Sequence, residues 1–173
     1  GRLRGRRALI TGSDSGIGQA TAIAFAREGA DVAVTYFEDQ GGAERTRRAV
    51  EEAGRRAIVV HLDQRDPASV DHLFEETRTR LGASTILVNN AGIDSTGKYV
   101  KDMPHEDWDN ELKTNLYGPF FCCQQFIRGI EGTGKHGTII NITSVHQEAP
   151  RAGAAGYGVA KGGLRNLTTT LAL

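Results

Sequence analysis

The feature that most constrains this chain is a repeated switch of hydrophobic period. Five short β-branched and aliphatic runs, at residues 7–11, 31–36, 57–62, 85–89 and 138–142, alternate with longer stretches of helical spacing. Residues 16–28 read as a helix with Ala20, Ile23, Ala24 and Phe25 inward and Gly29 as its stop. Residues 41–53 read as a charged surface helix ended by Gly54, and Asp66 followed by Pro67 opens a helix to Leu81 that turns Val70, Leu73 and Phe74 inward. A longer helical stretch covers residues 106–131, bent or interrupted at Pro119, and a final helix covers residues 156–173. Strand–helix–strand units with right-handed crossovers predict an α/β fold, a doubly wound parallel sheet. Such sheets bind ligands beyond the carboxyl ends of their strands, so the loops starting at Gly12, Asp63, Asn90 and Thr143 are expected to form one surface.

Length and charge narrow the classes of partner. At 173 residues the chain has the size of one domain, able to bury roughly two thirds of its unfolded surface. Its 21 basic and 21 acidic side chains cancel, which leaves no global field to collect nucleic acid or an anionic membrane. Arg2, Arg4, Arg6 and Arg7 are the one basic cluster and read as a solvated lead-in to the first strand. No apolar run approaches about eighteen residues and no signal core opens the chain. The two cysteines, Cys122 and Cys123, are adjacent in a helical stretch, so a bridge is not expected and a reducing compartment, the cytoplasm, is.

Four motifs carry chemistry. Thr11-Gly12-Ser13-Asp14-Ser15-Gly16-Ile17-Gly18 follows the first strand and leads into a helix, whose free N–H groups and positive end suit a pyrophosphate; alone, such a turn can also be merely a loop. Asp63 ends the third strand, either to accept a hydrogen bond from an adenine amino group or to form a turn. Asn89-Asn90-Ala91-Gly92 ends the fourth, either to brace neighbouring strands or to leave room for a ligand. Tyr157 and Lys161 lie four apart on one helical face, where a nearby ammonium favours a phenolate and makes a general acid/base; an exposed pair without a role has the same spacing.

The order of these motifs, with Asn115 between them and Ser144 thirteen residues before Tyr157, resembles the short-chain dehydrogenase/reductase family from residue 7 to the end of the chain. The resemblance implies a Rossmann-like fold and an NAD(P)-dependent oxidoreductase that interconverts an alcohol and a carbonyl. By position, Ser144 would hold the substrate oxygen, Tyr157 exchange its proton, Lys161 also hold the nicotinamide ribose, and Asn115 anchor a water in a proton relay. The cofactor would lie along Gly12, Asp14, Ser15, Gly16, Ile17 and Gly18, meet Tyr36 and Phe37, receive adenine at Asp63 and the Gln64 backbone, and pass Asn90, Ala91 and Gly92. His146, two residues past Ser144, is a candidate substrate contact. No metal is expected. The segment from Ser144 to Tyr157 looks somewhat like that of the sugar dehydrogenases, although acyl-carrier reductases share the core motifs, so a sugar or polyol is the expected substrate class. The family implies dimers or tetramers packed through the two long helices.

Two departures stand out. Tyr36 occupies the position where NAD users carry an acid for the ribose 2′-OH, and Ser15 stands where NADP users often carry a base. The missing acid leans the expectation to NADP, while Glu38 and Asp39 argue for NAD. The chain also stops within the helix bearing the Tyr–Lys pair, short of the family's last strands and substrate lid, so it reads as a single dinucleotide-binding and catalytic domain, residues 1–173, truncated at its C-terminus. The alternative function is a dinucleotide-binding regulator or scaffold without turnover, against which the intact quartet argues.

Overall fold

Successive side chains of a strand point to opposite faces of its sheet, and here both sets are apolar. Ala8, Ile10, Val32, Val34, Ile86 and Val88 pack with Ala22, Ala26, Ala43 and Val50. Their neighbours Leu9, Ala33, Ile58, Val60 and Leu87 pack with Val70, Leu73, Cys122, Cys123 and Phe126. Strands buried on both faces belong inside a parallel sheet covered by helices on each side. The computed structural model describes residues 1–173 and has that architecture. Parallel strands β1 (Arg7–Ile10), β2 (Asp31–Tyr36), β3 (Ala57–His61), β4 (Ile86–Asn89) and β5 (Thr138–Asn141) run in the order β3-β2-β1-β4-β5. Ala8 sits between Val32 and Ile86 in register, so the strand order reverses at β1 and opens a crevice between β1 and β4.

Helices α1 (Gly16–Arg27) and α2 (Gln40–Glu52) cover one face. Helices α3 (Pro67–Arg80) and α5 (Gly118–Ile130) cover the other, with α6 (Ala155–Leu171) packed on β5 and on α4 (His105–Leu112). Asp39 and Asp66 cap α2 and α3 by accepting from Gly42 N at 2.8 Å and Ala68 N at 3.0 Å. Cys122 and Cys123 are free and buried. No helix is long and apolar enough to cross a membrane.

Two sequence expectations are corrected, for α1 and for the N-terminal arginines, and the expected interruption near Pro119 is given its form. Ala20 and Ala24 of α1 are exposed, and the buried stripe is Gly18, Ala22 and Ala26, whose four-residue spacing of small side chains lets the helix lie close to the sheet. The stretch over residues 106–131 is two helices joined by a wide π turn, Lys113–Tyr117. Pro119 has no N–H, so the α-helical bond to the Asn115 carbonyl four residues back cannot form, and the ladder widens just before it. The N-terminal arginines are not simply solvated: Arg6 binds the Thr85 carbonyl at 2.8 Å and Arg7 Nε the Ala83 carbonyl at 2.6 Å, which fastens β1 to the approach of β4.

Candidate functional site

The turn after β1 is held open by the loop after β4. The Thr11 hydroxyl accepts from the N–H groups of Asn90 and Ala91 at 3.0 Å, and Asn90 Nδ2 donates to the carbonyls of Thr11 at 3.0 Å and Gly12 at 2.9 Å. Gly18 lies against that lacing, and a Cβ there would stand 2.6 Å from Asn90 Nδ2 and closer still to the Gly12 carbonyl. Gly16 is different: its φ is +52° and the space over its Cα is empty. Ser15 starts α1 without capping it, and no acid sits in the first turn, so the helix presents free N–H groups and its positive end to that space.

A cavity of about 710 Å³ extends from there across the carboxyl ends of β1 to β4. Gly12, Asp14, Ser15, Gly16 and Ile17 line it, as do Tyr36, Phe37, Asp63, Gln64, Asn90, Ala91 and Gly92, so three of the four expected loops share one surface. Thr143 is not in that lining; its neighbour Ile142 joins the site through Lys161. Gln64 turns its side chain inward and bridges the carbonyls of Ala91 at 3.0 Å and Thr114 at 2.7 Å, the latter released by the π turn. Asp63 is gripped by Arg65 through both carboxylate oxygens. That grip, offset in part by burial and helped by the Arg65 N–H, holds the Asp63 carboxyl below the usual range.

Gly92 marks the other end. A Cβ at this position would stand 2.7 Å from Asn115 Oδ1 and 3.7 Å from Lys161 Nζ, so both side chains approach Gly92, which lines the cavity. Asn115 is fully buried, with Oδ1 accepting from Ile93 N and Nδ2 donating to Ile93 O, both at 3.0 Å. Lys161 Nζ donates to the Ile142 carbonyl at 2.8 Å and lies 5.7 Å from the centre of the Tyr157 ring. It faces no carboxylate among its hydrogen-bond partners, and burial pushes its ammonium below the usual lysine range. Ser144 Oγ accepts from His146 N at 3.2 Å, and the His146 ring meets the Tyr157 ring edge-on at 6.2 Å. Ser144 and Tyr157 are both half-buried, and neither lines the cavity.

Three residues escaped the sequence reading. Arg65 and Asn110 are joined at 2.9 Å over the cavity's β3 end, and an opposite charge two residues past Asp63 was the available signal. Glu111 is fully buried, accepts from Thr96 N at 2.8 Å, and has its second oxygen against Gly156 at the start of α6. Its signal was a charge four residues before Asn115, on the same helical face.

The sequence profile of the short chain dehydrogenases matches residues 6–173. Glucose 1-dehydrogenase 2 of Bacillus subtilis is 32% identical over 171 residues, spanning 99% of this chain and 66% of that protein. 3beta-hydroxysteroid dehydrogenase 1 of Eggerthella lenta is 38% identical, spanning 99% and 65%. The crystal structure of acetoin dehydrogenase from Enterobacter cloacae superposes with a TM-score of 0.91 at 41% identity, over 96% of this chain and 66% of that one. The chain thus spans just under two thirds of the length of these relatives.

Proposed function

Because the chain belongs to the short-chain dehydrogenase family, we propose that the full-length protein is a nicotinamide-dinucleotide-dependent oxidoreductase interconverting an alcohol and a carbonyl, with Tyr157 as its acid/base. The observation that carries this reading is the approach of both Lys161 and Asn115 to Gly92, which lines a cavity that leads back to the open turn at Gly16. The empty space over Gly16, facing uncapped helix N–H groups, fits a pyrophosphate.

A bound nicotinamide dinucleotide supplies the hydride donor or acceptor. The protein's own residues do the rest. Ser144 Oγ holds the reacting oxygen by a hydrogen bond, and the Tyr157 phenolate takes the alcohol proton or, as phenol, returns it to a forming alkoxide. Lys161, fixed by Ile142 O, keeps a positive charge beside that phenolate. Both polar ends of the Asn115 side chain are committed to Ile93, so a relay water at Asn115 would be held by its main-chain carbonyl, which lacks an α-helical donor because of Pro119.

We favour NAD over NADP, against the lean given by Tyr36 alone, on the charges gathered at the β2 end. Asp14, Glu38 and Asp39 line this part of the cavity, and the cations beside them are already committed, Arg45 to Asp39 at 3.3 Å and Arg65 to Asp63 at 2.8 Å. Burial, partly offset by backbone hydrogen bonding, and repulsion from Asp39 together raise the Asp14 carboxyl above its usual range. A ribose phosphate would add negative charge to that group. For the substrate, we favour a polyhydroxylated alcohol such as a sugar: Asp94, Ser95, Arg151 and His146 form a polar rim beside Ser144, with Arg151 bonded to Asp94 and Ser95 at 2.7 Å. Assembly through α5 and the π turn before it is supported by Tyr117, Phe120 and Ile127, which are 47%, 44% and 37% exposed at helical spacing. A cytoplasmic location accords with two free thiols.

The test is turnover of the full-length protein with NAD or NADP over a panel of sugars, polyols and simple secondary alcohols. Cofactor-dependent oxidation of at least one member, faster with NAD, is expected. Tight dinucleotide binding with no turnover on any member of the panel would favour a regulator.

A further inference from the structure

Asp63 does not stand free at the mouth of the cavity. Arg65 Nε donates to its Oδ1 and Nη2 to its Oδ2, both at 2.8 Å, and the Arg65 main-chain N–H adds a bond to Oδ1 at 3.0 Å. The third guanidinium nitrogen, Nη1, reaches Asn110 Oδ1 at 2.9 Å, and the guanidinium carbon lies 5.0 Å over the centre of the Phe37 ring. One side chain thus ties the ends of β2 and β3 to α4, and all three of its guanidinium nitrogens are engaged.

We propose that Arg65 is a positioning residue that sets base selectivity at this end of the cavity, by fixing Asp63 so that only a base with an amino donor on its edge can pair with it. The proposal rests on the dinucleotide reading above. With pyrophosphate at Gly16 and the reactive end at Tyr157, the strand order β3-β2-β1-β4-β5 leaves the ends of β2 and β3 for the base. Each carboxylate oxygen has about two acceptor positions. Arg65 fills both on Oδ1 and one on Oδ2, which leaves a single position in a fixed direction. An adenine amino N–H satisfies it. Hypoxanthine presents a carbonyl oxygen at the same place, so two acceptors would face each other with no proton between them. Released from Arg65, Asp63 can rotate toward solvent and let water mediate, which removes the penalty on the wrong base. The ionised state required here is the one Arg65 favours, since its hydrogen bonds hold the Asp63 carboxyl low.

The experiment measures dissociation constants of the full-length protein for NADH and for reduced nicotinamide hypoxanthine dinucleotide by cofactor fluorescence, in wild type, Arg65→Ala and Arg65→Lys. Wild type is expected to prefer the adenine form by about tenfold to a hundredfold, the scale of a hydrogen bond to a charged group. Arg65→Ala is expected to reduce the preference to about twofold or threefold. Arg65→Lys keeps the charge without the fork and is expected to fall between them; it also carries the test if the alanine variant does not fold. Preference unchanged in a folded variant, or absent in wild type, would overturn the role of Arg65. Failure of wild type to bind either dinucleotide would overturn the dinucleotide reading itself.

Discussion

Lys161 Nζ is anchored on the carbonyl of Ile142 at 2.8 Å, two residues before Ser144, so the helix carrying Tyr157 and the loop carrying Ser144 are joined through one buried ammonium. That bond fixes Lys161 where a charge is costly: burial, with no ion-pair partner to offset it, favours the neutral amine. The folded state therefore binds fewer protons at this site than the unfolded chain. Stability contributed here rises with pH through the lowered folded value and levels off near the unfolded lysine range, about 10. Lys161→Met is expected to fold with a stability within about 2 kcal/mol of wild type. Relative to this variant, the wild-type denaturation midpoint is expected to climb from neutral pH upward; a falling difference would contradict the desolvated ammonium.

Gly16 and Gly18 are expected to fail in different ways. Gly18→Ala drives a methyl into the Gly12 carbonyl and Asn90 Nδ2, two groups committed to holding the turn, and is expected to cost about 1–3 kcal/mol of stability in urea denaturation. Gly16→Ala meets nothing but strains a φ of +52°, a loss of about 1–2 kcal/mol, and it projects into the space assigned to pyrophosphate. Dinucleotide affinity is therefore expected to fall more than stability in Gly16→Ala, as compared by fluorescence titration and chemical denaturation.

Asp31 gives an acid-sensitive link between β2 and the approach of β3. Its burial alone would raise the carboxyl, but hydrogen bonds from the Arg56 side chain and N–H, with the charges of Arg55 and Arg56, hold it below the usual range. A lowered carboxylate stabilises the fold above its unfolded value, about 3.9, and that contribution is lost as pH falls through the folded value. Arg56 is 62% exposed, so solvent screening limits the effect of Asp31→Asn to about 1–2 kcal/mol at neutral pH. The difference from wild type is expected to vanish in acid; persistence there would assign it to packing instead.

The two cysteines are expected to be inert. Burial and the neighbouring Cys123 raise the Cys122 thiol far above its usual range, and burial pushes Cys123 up to about 11 against a stabilising bond from Asn89. Native protein is expected to leave both unmodified by a thiol reagent at mildly alkaline pH and to expose both on unfolding. Reaction at the rate of a free thiol in the native state would contradict their burial.

The sheet was legible because β1, β2 and β4 alternate two apolar sets, a pattern only a doubly covered parallel strand tolerates. The α1 stripe was not, since Ala20, Ala22, Ala24 and Ala26 are identical in type and only packing decides which two face the sheet. The motif residues around Gly16, Asn90 and Tyr157 could be found because their order is distinctive. The inward bridge made by the Gln64 side chain, and the parts played by Arg65, Asn110 and Glu111, were harder to find, because each involves a partner distant in sequence or a buried polar bond that hydropathy scores as surface. The π turn had a local cause in Pro119, but its consequence, the freed Thr114 carbonyl received by Gln64, depends on a loop fifty residues earlier.

The central claim is that Tyr157 moves the proton while the Gly16 turn holds the dinucleotide, and Tyr157→Phe in the full-length protein separates the two. The substitution removes the hydroxyl and nearly keeps the ring's volume beside His146. Single-turnover hydride transfer, followed by nicotinamide absorbance, is expected to fall at least about a hundredfold while the cofactor dissociation constant stays within about threefold of wild type. A variant that transfers hydride at the wild-type rate on every substrate the wild type accepts would contradict the account.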